Sequence, residues 1–193
     1  MRRAAVAVVV LSVAVLAGAQ QESKTSEFTK FCGVNVERGA DGVFAALDGK
    51  PWERFENVKA VPKFEHDAGQ MAQYWRGDKG SFVQTMAVSS GFSRYDEYCF
   101  GPDGKLTRLN YEVRSPYDWG FARTNEVDKK GELKGITQRF FGLKSGRNML
   151  PPDNARDFTW ALVPKIYRKF DKLPFARLIT TPVEAKKEDA QAH

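Results

Sequence analysis

The sequence predicts a mainly β domain with minor α content, in which an antiparallel meander forms a curled sheet or incomplete barrel and a C-terminal helix packs on it. Three observations indicate this fold. Segments rich in aromatic and β-branched residues fill the middle of the chain. Short glycine-containing turn clusters separate them. Some segments also carry aromatic residues on both faces, so both faces of the sheet need covering.

Six strands are predicted between residues 70 and 143, and tight turns join them in pairs. The turns span residues 77–80, 101–104 and 128–131. Each contains a glycine, which supplies the positive φ that such turns require, and Pro102 presets the first turn position of the second one. The predicted strands are Met71–Arg76, Phe82–Ser89, Arg94–Phe100, Lys105–Arg114, Gly120–Val127 and Leu133–Phe141.

Alternation within the strands assigns side chains to faces. Leu109, Tyr111 and Val113 share one face, as in a half-buried strand. In the preceding strand, Tyr95 lies on one face and Tyr98 on the other. A sheet with aromatic residues on both faces must be covered on both or curl on itself, which favours a bent sheet or an incomplete barrel.

The elements before the meander are short. Phe28, Phe31 and Cys32 stand at i, i+3 and i+4, which predicts a helical turn that buries aromatic surface and points Cys32 inward. The apolar run from Val43 to Leu47 is compatible with a helix or a strand.

A helix is predicted after the meander. Pro164 interrupts a run with one apolar helical face, so we expect a turn up to Val163 and a helix that begins with Pro164 and ends at Leu173. Its apolar side is expected to cover one face or one open end of the sheet. The residues on that apolar face are Phe158, Ala161, Leu162, Ile166 and Phe170.

The N-terminus has the pattern of a secretory signal peptide. Arg2 and Arg3 precede a thirteen-residue apolar stretch, and residues 17–19 (Ala-Gly-Ala) supply the small residues of a cleavage site. The apolar stretch is shorter than the roughly 20 residues of a membrane-spanning helix. Ala19 stands where a lipoprotein would have its lipid-bearing cysteine. We therefore expect an exported, soluble protein, periplasmic or extracellular, without a lipid anchor or stable membrane insertion after cleavage.

One globular domain is predicted. Residues 1–19 form the signal peptide, residues 20–27 a flexible N-terminus, residues 28–180 a β-rich domain and residues 181–193 a disordered tail. The tail is charged and alanine-rich and contains no aromatic residue.

Cys32 and Cys99 are the two cysteines of the chain, and their spacing is not that of a CxxC motif. In an exported protein such a pair predicts one structural disulfide. The bridge would join the N-terminal segment to the middle of the meander.

Several functions find little support in the sequence. The net charge of +6 comes from scattered basic residues, so nucleic-acid binding is not expected. His66 and His193 are the only histidines, and the consecutive side chains of Glu65, His66 and Asp67 diverge in an extended segment, so no metal or cofactor is predicted.

No catalytic residues are predicted either. Ser89 and Ser90 lack the preceding glycine of a nucleophile elbow. Asp96 and Glu112, on neighbouring strands, are a candidate acid/base pair, although ion pairing with nearby basic residues is the simpler interpretation. The tripeptide at residues 76–78, Arg-Gly-Asp, is too short to predict adhesion and lies where a hairpin needs a turn.

The aromatic surplus is the one feature that points to a ligand. Inward aromatic side chains with a few polar partners would line a cavity if the sheet curls. The leading hypothesis is a noncatalytic exported binding module for a small apolar or amphipathic ligand or an envelope partner. The alternatives are an exported hydrolase with Asp/Glu acid/base chemistry and a structural or assembly factor of the envelope. The candidate ligand-binding residues are Trp75, Tyr98, Arg108, Tyr111, Trp119 and Arg123.

Overall fold

A computed structural model describes residues 29–63, 68–158, 162 and 165–179 of the chain. Within these residues, nine strands form one antiparallel sheet in the order β2-β1-β3-β4-β5-β6-β7-β8-β9, and the sheet does not close. The predicted meander is therefore confirmed. The strands are β1 (Gly42–Leu47), β2 (Glu53–Phe55), β3 (Gly69–Gly77), β4 (Gly80–Ser89), β5 (Phe92–Phe100), β6 (Leu106–Arg114), β7 (Trp119–Val127), β8 (Leu133–Gly142) and β9 (Asn148–Met149).

The six predicted strands correspond to β3 to β8, and the undecided apolar run is β1. The edge strands β2 and β9 were not predicted, because three and two residues are too few to show a period. Glycine is required in the first turn: Gly80 has φ of 149°, and a Cβ there would collide with the carbonyl oxygen of Phe100. The β4–β5 hairpin turns through Ser90 and Gly91, both with positive φ, as a type I′ turn requires.

One side of the sheet, which we call the covered face, carries the main core. Tyr74, Val83, Tyr98 and Leu109 face this side from β3 to β6 and are buried. The opposite side, the outer face, carries the residues that alternate with these, such as Tyr95. The predicted division of the aromatic residues of β5 between two faces is therefore confirmed.

The described residues between 153 and 179, called here the C-terminal segment, cover the main core. Phe158 packs on Phe92 with ring centroids 5.0 Å apart, and Phe175 stacks on Phe44 at the same distance. Burying one such side chain contributes about 1.5–3 kcal/mol. Its described helices include the 3₁₀ helices Asp153–Phe158 and Phe170–Lys172 and the short α-helix α1 (Ala176–Ile179).

The position of the predicted C-terminal helix is wrong, although a C-terminal helix does pack on the sheet. Residues 165–169 are not helical. Instead, the Leu106 amide donates to the Arg168 carbonyl oxygen at 2.9 Å, and the Phe170 amide donates to the Gly104 carbonyl oxygen at 2.9 Å. The first residue of β6 and the turn before it therefore satisfy backbone groups that a helix would have paired internally. Ile166 and Phe170 nevertheless pack on the core, as predicted.

A second, smaller core lies on the outer face. Its buried residues include Trp75, Phe82 and the predicted disulfide between Cys32 and Cys99, whose Cα atoms are 5.5 Å apart. Residues 29–32 are helical, and Cys32 points inward as predicted. Phe31 was expected to be buried but is 49% exposed, and its ring lies 4.7 Å from the Arg108 guanidinium carbon.

Several sequence predictions lie outside the described residues. These are the signal peptide at 1–19, the N-terminus at 20–27, the Glu65-His66-Asp67 cluster and the tail at 181–193. The division of the chain into these parts and one domain stays a prediction. Among the described helices, none is long and apolar enough to cross a membrane.

The disulfide predicts a measurable loss of stability in the double variant Cys32→Ser/Cys99→Ser. The bridge spans a sequence separation of 67 residues, and the chain-entropy model assigns such a loop about 4 kcal/mol. Urea unfolding followed by tryptophan fluorescence measures the difference. Dithiothreitol should lower the midpoint of the wild type and leave that of the double variant unchanged. Equal midpoints for the two proteins in the absence of reductant would contradict this role.

Candidate functional site

A row of polar side chains crosses the covered face. Its members lie directly opposite one another on five consecutive strands, and directly opposed residues point to the same side of a sheet. We call this set the polar row. Its members are Thr85 on β4, Asp96 on β5, Tyr111 on β6, Arg123 on β7 and Gln138 on β8.

Apolar and aromatic residues flank the polar row. Val83, Tyr98 and Leu109 lie on one side of it, and Val113 and Phe121 lie on the other. A buried polar group without a partner is costly. We therefore describe the hydrogen-bond partners of the polar groups in the row.

The Arg94–Asp96 ion pair occupies the β5 part of the covered face. Arg94 contacts the carboxylate through two nitrogens, with Nε 2.7 Å from Oδ1 and Nη2 2.7 Å from Oδ2. Thr85 Oγ1 donates to Oδ2 at 3.4 Å. Burial raises the pKa of Asp96, and the hydrogen bonds and charge of Arg94 oppose this rise. The pair is thus a largely desolvated charge pair within the core.

Two tyrosines attach the C-terminal segment to the sheet. Tyr98 Oη donates to the Lys165 carbonyl oxygen at 3.4 Å, and Tyr111 Oη donates to the Leu162 carbonyl oxygen at 3.2 Å. Burial raises the pKa of both hydroxyls. Both therefore stay protonated and keep their donor role at neutral pH.

A cavity of about 250 Å³ lies where the Arg94–Asp96 pair meets the C-terminal segment. Its wall combines four aromatic residues with other apolar and polar residues, and its charged groups are two cations and one carboxylate. The aromatic residues are Trp52, Tyr98, Tyr167 and Phe175. The charged residues are Arg94, Asp96 and Lys165. An apolar wall with a few polar groups at one side is typical of small-molecule sites.

The six predicted ligand-binding residues do not share this cavity. Tyr98 lines it, Tyr111 and Arg123 belong to the polar row, and Trp119 is buried in the main core. Trp75 packs on Phe82 on the outer face with ring centroids 5.3 Å apart.

Arg108 also lies on the outer face, where it forms an ion pair with Glu126. Strand alternation separates the two outer-face candidates from the cavity, since Trp75 follows Tyr74 and Arg108 precedes Leu109.

Several cavity residues were missed in the sequence. Arg94 was detectable, because it stands two positions before Asp96 and four before Tyr98 on the same strand face. Trp52, Lys165 and Phe175 carried no such signal. They precede or follow the meander by many residues and reach the cavity only through the fold.

Asp96 and Glu112 are not brought together. Asp96 lies on the covered face opposite Tyr111, whereas Glu112 lies on the outer face opposite Tyr95. Each carboxylate is held by an arginine of its own strand, and the Arg114 Nε to Glu112 Oε1 distance is 2.7 Å. The arrangement offers no acid/base pair across one substrate.

A second cavity of about 400 Å³ opens beside the Arg76-Gly77-Asp78 turn. Asp41 Oδ2 accepts hydrogen bonds from Arg38 Nη2 and from the Arg76 amide, both at 2.6 Å. Arg76 Nε donates to Tyr74 Oη at 3.2 Å. These bonds tie the loop before β1 to β3, so the polar groups here have a structural role.

Among the residues that the structure describes, no group of three His, Cys, Asp or Glu side chains is placed to bind a metal. Comparison of the chain with protein-family models, curated proteins and solved structures finds no match in any of the three.

Removing one partner of the Arg94–Asp96 pair should destabilise the protein. Asp96→Ala leaves a half-buried guanidinium without its carboxylate, at an expected cost of about 3 kcal/mol. The double variant Arg94→Met/Asp96→Leu should cost less, because no charge remains. Chemical denaturation of the three proteins measures this, and a double variant less stable than Asp96→Ala would contradict the interpretation.

The raised pKa of Asp96 predicts a pH dependence. Burial raises the pKa of Asp96 in the folded protein above its ordinary value of 3.8, so the folded protein keeps the carboxyl proton to a higher pH. The unfolded chain therefore binds fewer protons in that window, and the stability of the wild type falls as pH rises through the folded pKa. Urea unfolding between about pH 3 and pH 7 should show this fall relative to Asp96→Asn. A difference between the two proteins that is constant or increases with pH would exclude it.

Proposed function

We propose that this protein is an exported, noncatalytic binding module that holds a small amphipathic ligand in the cavity beside the Arg94–Asp96 pair. The observation that carries the proposal is the combination of an aromatic wall with charged groups in one cavity of about 250 Å³. That volume is slightly below the usual range of ligand pockets, so the proposed ligand is smaller than a typical drug-sized molecule.

The charges of the cavity favour an anionic head group. Arg94 and Lys165 outnumber the one carboxylate, Asp96. Arg94 contacts Asp96 through Nε and Nη2, so Nη1 is the nitrogen that a ligand oxygen would approach. Lys165 Nζ lies 5.4 Å from the Tyr167 ring centroid, which places a cation at the aromatic wall.

The apolar part of the ligand would pack on the aromatic wall. Trp52 and Phe175 already contact each other with ring centroids 4.9 Å apart and present a continuous apolar surface. A short alkyl chain or a single ring on this surface would be removed from water, which is the main favourable contribution to its binding.

Two features support a noncatalytic role. Asp96, the carboxylate at the cavity, is bound by two nitrogens of Arg94, which keeps it from acting as a free base. Glu112 lies on the other face of the sheet.

Export is supported by the signal-peptide pattern in residues 1–19 and by a disulfide, a bond that persists in oxidising compartments.

Ligand binding is tested with octanoate, octanol and octylamine. The three probes share an apolar chain and differ in charge. Isothermal titration of the purified protein should show the order octanoate, then octanol, then octylamine. Octylamine binding as tightly as octanoate would exclude an anion-selective cavity.

A space-filling variant tests the location. Ala87 lines the cavity, so Ala87→Phe should weaken octanoate binding about tenfold or more by occupying the site. Ala122 lies on the outer face opposite Glu112, and Ala122→Phe is the matched control. Unfolding midpoints confirm that both variants fold. Unchanged binding in Ala87→Phe, or equal losses in both variants, would overturn the proposal.

A further inference from the structure

Two polar side chains on β7 have buried nitrogens without hydrogen-bond partners. Asn125 is only 3% exposed, and its Nδ2 has no partner. The Nε of Arg123, two residues earlier on the same face, is also buried and without a partner. Both atoms are donors at the β7 part of the covered face, away from the Arg94–Asp96 pair.

The charge of Arg123 is not neutralised by a neighbouring carboxylate. None of the ion pairs found among the described residues includes it. Its near neighbour is Tyr111, directly opposite on β6. Burial raises the pKa of Tyr111, and the charge of Arg123 together with a side-chain hydrogen bond from it opposes that rise. The hydroxyl is a partner for the guanidinium but does not neutralise its charge.

Gly135 brings the two donors into one patch. It lies opposite Asn125 on β8, just after the strand register shifts between Thr124 and Asn125. A Cβ at Gly135 would lie 2.9 Å from Arg123 Nη2 and 3.3 Å from its Nε. The guanidinium therefore extends over the glycine toward Asn125, in space that any other residue would fill.

The patch is accessible from the β8 side. Gly135 and Gln138 are exposed, and so is Ile136 between them. A small molecule would therefore approach from this edge, beside main-core residues such as Leu109 and Phe121.

We propose that Arg123 and Asn125 form a second binding site, specific for a small monocarboxylate. A half-buried cation without a counter-ion and a buried amide nitrogen without an acceptor are both costly, and one carboxylate relieves both. Its two oxygens match two donors, and its single charge matches one arginine. The site is separate from the cavity at Asp96, because Tyr111 lies between them.

Sodium acetate is the probe for this site, and sodium chloride at equal ionic strength is the reference. Acetate should shift the NMR signals of Asn125 Nδ2 and Arg123 Nε in a saturable manner. Arg123→Gln should weaken acetate binding about tenfold or more, the effect of losing a hydrogen bond to a charged group. Arg139→Gln is the matched control, since Arg139 lies on β8 over the Phe141 ring of the outer face.

Asn125→Leu provides a second measurement that does not depend on Arg123. Without acetate this variant should be at least as stable as the wild type, because it removes the unpartnered amide. The rise in unfolding temperature that acetate causes in the wild type should be lost.

Three results would overturn the proposal. One is an equal response to chloride and acetate. Another is tighter binding of phosphate than of acetate. The third is an acetate response that survives in both Arg123→Gln and Asn125→Leu.

Discussion

The covering of one sheet face by the C-terminal segment is the interaction on which the rest of this structure depends. An open antiparallel sheet with aromatic residues on an uncovered side would expose them to water. Phe158, Phe170 and Phe175 pack on that side, and two tyrosine hydroxyls hold the backbone of the segment in place. The C-terminal segment completes the main core and also forms part of the cavity wall. Both the stability of the sheet and the candidate binding site therefore depend on the packing of this segment.

The polar row makes this core unusual. At the β4–β5 part of the row, Asp96 is satisfied by Arg94 and Thr85. At the β7 part, Arg123 and the nearby Asn125, which lies outside the row, keep buried nitrogens without partners. The satisfied and the unsatisfied polar groups of the covered face thus lie two strands apart, on β5 and β7. The two proposed binding sites lie at these two places.

The disulfide anchors the outer face independently of the C-terminal segment. Cys99 alternates with Tyr98 and Phe100, so one strand contributes to both cores. The bridge holds Cys32 and the residues after it over Trp75 and Phe82, which would otherwise face solvent. β5 therefore carries the disulfide on one face and the Arg94–Asp96 pair on the other.

Local chemistry determined much of this fold, and distant contacts determined the site. Alternating side chains and glycine turns were enough to predict β3 to β8, because these signals act over a few residues. Two cysteines were enough to predict the bridge, because a chain with two cysteines allows one intramolecular pairing. Tyr98 was the one cavity residue among the predicted ligand-binding residues. Only the tertiary structure decided that the backbones of Arg168 and Phe170 pair with Leu106 and Gly104. It also decided that Asp96 and Glu112 lie on opposite faces, and that Trp52, Lys165 and Phe175 line one cavity with Arg94. The physical reason is that the partners of those backbone and side-chain groups lie many residues away in the sequence.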